Sequence, residues 1–452
     1  MNPANETLVG EFAADSAAEI EHKLRAAADA FDGWRRRSVE ERAAKLAAAA
    51  SAFRSSRVDL AILMAKEMGK PLAEGEAEIN KSAATCEHFA QHSAKLLEHE
   101  QLASGGGKGY CRFDPLGPIL AIMPWNFPFW QVLRACVPAL AAGNTFILKH
   151  APGVPGCAEA LVDIFDQAGL PSGVFSSVRI DDNAVAQKLC GHPLIRGVTL
   201  TGSDRAGAAV AAMAGHALKK VVMELGGSDP FIVLKDADVA FAATSAAESR
   251  CINSGQSCIC AKRFIVEEPV LERFLDAFTA AMRKRKLGDP MIRDIEIGPL
   301  ARKDLLDNLQ RQVDESIKLG ATLLTGGQRR GATGFFFEPT VLADVRPGMP
   351  AFDEETFGPV AAVIVAADVD EAIKLANASR FGLGASIWTR DLLRGEKLAA
   401  DLDAGNVFIN SIVRSDPRLP FGGVKNSGWG RELAEAGIKE FTNVKTVWVS
   451  KA

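Results

Sequence analysis

Residues 117–150 read GPILAIMPWNFPFWQVLRACVPALAAGNTFILKH. The apolar run Pro118–Met123 is followed by a helical stretch and then by a second apolar run, Thr145–Leu148. The same rhythm continues through Val174–Val178, Val198–Thr201, Lys220–Glu224 and Phe231–Leu234. Strand-like runs alternating with helices predict an α/β domain built on a mostly parallel sheet. A second α/β stretch runs from about Phe264 to Asn410, with strands expected at Arg263–Val266, Ala361–Val365, Ala385–Trp388 and Asn406–Asn410.

Outward from this centre, residues 15 to about 100 read as helices. Ser38 followed by Glu41 forms a capping box that opens a helix reaching Arg54. Leu60, Leu63, Met64 and Met68 recur at helical spacing beyond it. Ser104-Gly-Gly-Gly-Lys-Gly109 lacks the Ser or Thr that a phosphate loop requires, and is read as a flexible joint. At the other end, Val444–Val449 alternates like an edge strand, and an uncovered edge invites pairing with another subunit.

A chain of 452 residues has room for two or three domains. Its net charge of −4 and lack of a long basic run argue against nucleic acid or an anionic membrane as partner. The uncharged span between Asp114 and Arg134 carries Pro115, Pro118, Pro124 and Pro128, so it is read as a buried soluble segment and not a membrane helix. Eight scattered cysteines without CxxC, seven histidines without HExxH, and an acidic N-terminus point to a cytoplasmic protein with no disulfide scaffold and no metal.

Four short sequences carry chemistry: Pro124-Trp-Asn-Phe-Pro128, Glu224-Leu-Gly-Gly227, Asn253-Ser-Gly-Gln-Ser-Cys258 and Glu355-Thr-Phe-Gly-Pro359. Each alone is compatible with a turn around a buried polar group. In this order they resemble the aldehyde dehydrogenase superfamily, over nearly the whole chain from about residue 15 onward. Val221-Val-Met-Glu-Leu-Gly-Gly-Ser-Asp-Pro230, Lys149-His-Ala-Pro152 and Ser415-Asp-Pro-Arg-Leu-Pro-Phe-Gly-Gly423 look like its succinate-semialdehyde dehydrogenase branch. The resemblance implies a Rossmann-type NAD(P)-binding domain (1–101 and 115–227), an α/β catalytic domain (228–432) and small β oligomerisation arms (102–114 and 433–452). A homodimer or homotetramer is the expected assembly.

An aldehyde gives up hydride readily only after a nucleophile has made its carbon tetrahedral, and a thiolate is well suited to that addition. The resemblance gives this role to Cys258, in a Gly-flanked polar segment. It pairs the Asn126 side chain with the Cys258 backbone N–H as donors to the oxyanion. It makes Glu224, at the end of the apolar run Val221-Val-Met, the base that activates water against the thioester. A carboxylate so placed is partly desolvated and has a raised pKa.

The GxGxxG fingerprint of dinucleotide sites is absent. In its place stands a strand leading to Gly202-Ser203 and a helix, whose N-terminal N–H groups can face a pyrophosphate. Trp125, Lys149, Glu355 and Phe357 resemble further cofactor contacts. Many NAD-preferring relatives carry Glu three residues after the lysine, where this chain has Pro152. That leaves the choice open, with a lean to NAD and NADP possible. For a substrate carboxylate, Arg134 lies eight residues after Asn126 and can share its face, although a structural ion pair is the other reading. Ser415 resembles a second carboxylate contact, and Arg414 is either another anchor or a solvated rim charge. Cys260, two residues after Cys258, is a buried filler or a redox partner for it.

The implied reaction is oxidation of succinate semialdehyde to succinate. The alternatives are another short aldehyde (glutarate semialdehyde, an aminoaldehyde or a lactaldehyde-like compound) and a non-catalytic binding protein on the same fold.

Overall fold

The computed structural model describes residues 1–102 and 107–450. Six strands form the first sheet, in the order Gly428–Trp429, Lys220–Glu224, Gly197–Thr201, Pro118–Met123, Thr145–His150, Phe175–Ser177. All neighbours are parallel except Gly428–Trp429, which runs antiparallel to Lys220–Glu224. The strands are legible as unbroken apolar runs because helices cover both faces of a parallel sheet. From Pro118–Met123 the chain winds outward through two strands, then returns to the opposite side of the first one. The order therefore reverses between Pro118–Met123 and Gly197–Thr201. Ligands of open α/β sheets bind at such a switch point, beyond the carboxyl ends of the strands. Pro124-Trp125-Asn126, Gly202-Ser203 and Glu224 all stand at those ends.

Four helices precede the sheet: Ala17–Arg36, Val39–Ser55, Arg57–Met68 and Leu72–Leu96. Ser38 caps the second by accepting from Glu41 N–H at 3.2 Å, while the Glu41 carboxylate accepts from Ser38 N–H at 2.7 Å. Ser16 and Glu19 form the same reciprocal cap on the first. The formerly suspect proline-rich span folds as the strand Pro118–Met123 and the wholly buried helix Trp130–Ala142.

The second sheet has seven strands, ordered 322–325, 340–343, 360–366, 261–267, 229–233, 384–388 and 406–409. Only the outermost pair, 322–325 with 340–343, is antiparallel. Every strand expected in this half is present within a few residues. Gly428–Trp429, within the range expected for the catalytic domain, completes the first sheet instead.

A third, antiparallel sheet of Glu100–Leu102, Gly107–Pro115 and Thr442–Ser450 forms the arm. The flexible-joint reading of Ser104–Gly109 needs correction where it can be seen. Residues 104–106 lie outside the described residues, but Gly107–Gly109 open a strand paired with Trp448–Ser450. A Cβ on Gly109 would sit 3.2 Å from the Trp448 indole, so the glycine makes room for a ring lying across the sheet. Thr442–Ser450 is an edge strand of this sheet, with Val444, Trp448 and Val449 exposed.

Candidate active site

The loop before the strand Ala261–Glu267 carries Cys258. Asn253, Ser254 and Gly255 have φ of 53°, 58° and 76°, three successive residues in the left-handed region. Such a run persists only where surrounding contacts over-determine it. Asn253 donates its backbone N–H to Glu74 at 2.6 Å, and its side-chain amide to the carbonyls of Asn126 (2.7 Å) and Gln256 (3.1 Å). Ser254 Oγ accepts from Gly298 N–H at 2.9 Å. A Cβ on Gly255 would lie 2.3 Å from the Gly358 backbone, so this glycine lets the Cys258 loop meet the Glu355–Pro359 loop. Downstream, the fully buried Lys262 ammonium gathers the carbonyls of Ser257 (2.9 Å), Cys258 (2.8 Å) and Cys260 (3.2 Å).

Cys258 is half-buried on the wall of a 230 Å³ cavity that it shares with Trp125, Asn126, Ser203, Glu355 and Phe357. Burial pushes its thiol up to about 12, against the pull of Arg134 and Lys262. Asn126 spends one amide hydrogen on the Gln256 carbonyl at 2.9 Å, which aims the group and leaves the other free to donate. The backbone N–H of Cys258 has no acceptor among the described residues.

Glu224 is 2% exposed, and its Oε1 is buried without a hydrogen-bond partner among the described residues. Burial raises its pKa well above the carboxylate range, with Glu432 reinforcing and Arg134 opposing. A Cβ on Gly422 would be 2.8 Å from that oxygen, so a bare backbone is what leaves the carboxylate its place. Glycines 226 and 227 act alike. Their Cβ atoms would lie 2.6 Å from Glu355 Oε2 and 2.6 Å from the Cys258 carbonyl.

Gly202 and Ser203 line the same cavity. Ser203 caps the helix Asp204–His216 by accepting from Ala206 N–H at 3.2 Å. A Cβ on Gly207 would lie 2.5 Å from Leu225, so this glycine draws the helix onto its strand. Glu355 accepts from Gly227 N–H at 3.0 Å, with the Lys262 ammonium 3.8 Å away, so its carboxylate is fixed at the cavity wall. Trp125 meets Phe357 edge-on at 5.8 Å between ring centroids. A helix N-terminus, a fixed carboxylate and an aromatic wall around one cavity fit a nicotinamide dinucleotide. A second cavity of 380 Å³ opens by the next strand end, lined by Pro152, Arg179 and Asp181 among others. Lys149 is buried at the end of that strand, with Asp181 as its acidic neighbour.

The chain matches the model of the aldehyde dehydrogenase family over residues 1–447. It belongs to that family. It is 46% identical over 448 residues to the NAD(P)+ succinate semialdehyde dehydrogenase Sad of Escherichia coli (strain K12), covering 99% of this chain and 97% of the relative. Identity is 45% over 450 residues, 100% of this chain and 99% of the other, to a probable NADP(+) succinate-semialdehyde dehydrogenase of Synechocystis sp.. Among solved structures, the succinic semialdehyde dehydrogenase of Streptococcus pyogenes in complex with NADP+ superimposes with a TM-score of 0.97. It is 33% identical to this chain, and the match covers 100% of this chain and 99% of that one.

Within this aldehyde dehydrogenase, the contacts of Arg134 favour the ion-pair reading over the substrate anchor. Its guanidinium pairs with the buried Glu432, lies 4.0 Å from Glu224 and stands 4.6 Å over the Phe421 ring. Asn126 lies in the loop before the helix Trp130–Ala142, so the shared helical face expected from the eight-residue spacing does not exist, and the spacing gave no sign of Glu432. Arg414 is exposed and donates to Ser411 at 3.0 Å, as a rim charge does. Ser415 is buried and accepts from both Trp130 Nε1 (3.1 Å) and Lys81 Nζ (2.8 Å). Cys260 is buried, and its thiol donates to the Ile252 carbonyl at 3.4 Å, contacts that suit a filler.

Sequence reasoning missed Asn253 as a clamp, Lys262, Glu432 and Lys81. Asn253 opens the quoted Asn253–Cys258 motif, and Lys262 leaves a local signal as one of two successive cations in a buried strand, Ala261–Glu267. Among the described residues no group of three or more His, Cys, Asp or Glu is placed to hold a metal, and no helix is long and apolar enough to cross a membrane.

Proposed function

We propose that this protein oxidises succinate semialdehyde to succinate with NAD or NADP. The observation that carries the reading is the cavity on which Cys258, Asn126 and Glu355 converge, beside the buried Glu224. The Cys258 thiolate adds to the aldehyde carbon, and the oxygen takes the negative charge. Asn126 Nδ2 and the Cys258 N–H donate to that oxygen, and one such donor is worth about 2.7–4 kcal/mol in the transition state. Ser203 and the helix it caps would hold the pyrophosphate of a nicotinamide dinucleotide and Glu355 and Phe357 its nicotinamide end, and that group would supply the hydride acceptor needed for a thioester to form. Glu224 Oε1 then takes a proton from water as the water attacks the acyl carbon. The C–S bond breaks, the acid leaves, and the thiolate is restored.

Arg179, on the wall of the cavity beside Pro152, supports use of NADP. Its guanidinium is shared with Glu159 at 2.5 Å and Asp15 at 3.8 Å, and offers a cation to a 2′-phosphate. The NADP(+) relative and the NADP+ complex named above also support NADP, and the NAD(P)+ relative supports use of both. The eight free cysteines suit a reducing cytoplasm. The test is a panel of short aldehydes, with and without a carboxylate tail, each assayed with both cofactors. Succinate semialdehyde should give the highest kcat/KM. A higher value with glutarate semialdehyde, an aminoaldehyde or lactaldehyde would move the substrate assignment. No turnover of any aldehyde would leave a binding protein on this fold.

A further inference from the structure

The loops that carry Cys258 and Asn126 are both tied to one helix. Glu74 and Glu78 lie four residues apart on the helix Leu72–Leu96 and so share a face. The Glu74 carboxylate accepts from Asn253 N–H at 2.6 Å, where the loop of Cys258 begins. Glu78 Oε1 accepts from the N–H groups of both Phe129 and Trp130 at 2.9 Å, directly after the loop of Asn126. The helix Trp130–Ala142 has no side-chain cap of its own, so Glu78 brings an anion to its positive end from a different helix. The other oxygen of Glu78 pairs with the buried ammonium of Lys70, which stands 3.8 Å over the Phe127 ring. Asn126 is thereby held through its neighbours, Phe127 by Lys70 and Phe129 and Trp130 by Glu78. The 2.7 Å bond from the Asn253 amide to the Asn126 carbonyl closes the circuit.

We propose that Glu74 and Glu78 are positioning residues of the reaction, which place the Cys258 sulfur and the Asn126 amide so that one aldehyde meets both. This rests on the roles given above to Cys258 and Asn126 and holds for whichever aldehyde is the substrate.

Both acids are aimed at backbone N–H groups, so what they fix is the main chain of the two loops. Lys262 holds the downstream end of the Cys258 loop through the carbonyls of Ser257, Cys258 and Cys260. Glu74 holds its upstream end, at the first of the three left-handed residues that need outside support. Lys70 and Glu78 are both buried, and a buried ion pair adds little net stability over apolar residues of the same volume. Its service here is geometric. Cys258 and Asn126 line one cavity, and a misplacement of about 1 Å between reacting groups can cost about 100-fold in rate.

The experiment measures, by rapid mixing at saturating aldehyde and cofactor, the rate at which reduced cofactor forms in the first turnover. Thermal melting and the two KM values are recorded alongside. Lys70→Met/Glu78→Leu removes the acceptor without stranding a buried charge. It should slow the first turnover at least about tenfold with both KM values within about threefold, because the loss falls on the transition state and not on binding. Lys70→Met/Glu78→Gln returns an acceptor oxygen to the two N–H groups and should recover most of the rate. Glu74→Ala and Glu74→Gln should repeat this pattern from the Cys258 side. Because Glu78 acts through Asn126, Lys70→Met/Glu78→Leu should cost less than about threefold once Asn126→Ala is already present. A wild-type rate in Lys70→Met/Glu78→Leu, an equal loss with and without Asn126, or a loss that Gln does not repair overturns the proposal. If Lys70→Met/Glu78→Leu does not fold, the Glu74 variants decide by the same comparison of Ala with Gln. If Asn126→Ala alone leaves the first turnover unchanged, the functional reading falls and the positioning roles fall with it.

Discussion

Asn253 donates its side-chain amide to the backbone carbonyl of Asn126 at 2.7 Å, although the two residues are 127 positions apart. This bond joins the loop of the nucleophile to the loop of the oxyanion donor. The left-handed backbone of Asn253 is needed to make it. Asn253→Ala removes the amide and leaves a Cβ-bearing residue, without local support, in a conformation that costs roughly 1–2 kcal/mol. With the lost hydrogen bonds, the loss of stability should reach about 2–4 kcal/mol. Asn253→Gly should lose about 1 kcal/mol less, because glycine adopts that backbone freely. Urea unfolding of the two variants measures the difference, and equal stability would show that the backbone is not strained there.

Removal of the nucleophile and of the base should separate the two half-reactions. Cys258→Ala should abolish oxidation. Glu224→Gln should retain formation of reduced cofactor in the first turnover and slow the hydrolysis that follows. Rapid mixing should then display a burst of absorbance at 340 nm of about one equivalent, before a slow steady state. Steady-state oxidation by Cys258→Ala would overturn the mechanism.

Both groups must be deprotonated to act, and burial raises the pKa of both, that of Cys258 to about 12. The sign is therefore the same for each: the reactive fraction grows as pH rises. Alkylation of cofactor-free Cys258 by iodoacetamide, followed on its own peptide by mass spectrometry, should keep accelerating from pH 7 to pH 10. A plateau below pH 9 would reveal a thiolate stabilised far more than this environment accounts for.

Cofactor choice should respond to position 152. Pro152→Glu introduces a carboxylate beside the cavity that Arg179 lines. It should depress kcat/KM for NADP by about tenfold through repulsion of the 2′-phosphate, while sparing NAD. Arg179→Leu should act in the same direction by removing attraction. An unchanged ratio in both variants would place the ribose elsewhere.

The arm predicts assembly. Thr442–Ser450 presents Val444, Trp448 and Val449 to solvent at 59%, 55% and 51% exposure, on a strand that is at the edge of its sheet among the described residues. Strand addition from a second chain covers both. Light scattering at micromolar concentration should give a dimer or tetramer, and Trp448→Glu should shift it toward monomer. A wild-type monomer with full activity would count against the arm as an interface.

The strands and the chemical motifs were legible for different reasons. Pro118–Met123 and Val198–Thr201 are buried nearly throughout, so they carry no charged residue to blur the run. The glycine pairs Gly226-Gly227 and Gly422-Gly423 marked close approaches, although not what approached. Long-range partners left no such trace. Nothing near Arg134 announces Glu432, and Lys81 is one lysine on a mixed helix. Its hydrogen bond to Ser415 and its place over the Trp130 ring exist only once the chain has folded. In the arm, glycine that reads as looseness serves the opposite end, giving Trp448 a flat surface.

The pairing of Gly428–Trp429 with Lys220–Glu224 has a consequence for biosynthesis. A ribosome delivers five strands of the first sheet by residue 224, but the sixth arrives some two hundred residues later. Glu432, the partner of Arg134, follows it. Throughout that interval the edge of Lys220–Glu224 is uncovered and the arginine beside Glu224 lacks its main acid, so the nascent chain exposes a strand open to mispairing. The catalytic centre is thus completed only after the whole second sheet has been made. A nonsense mutation that removes only the final few dozen codons should yield a chain with Cys258 and every cofactor contact present, yet dependent on chaperones and without a functional base.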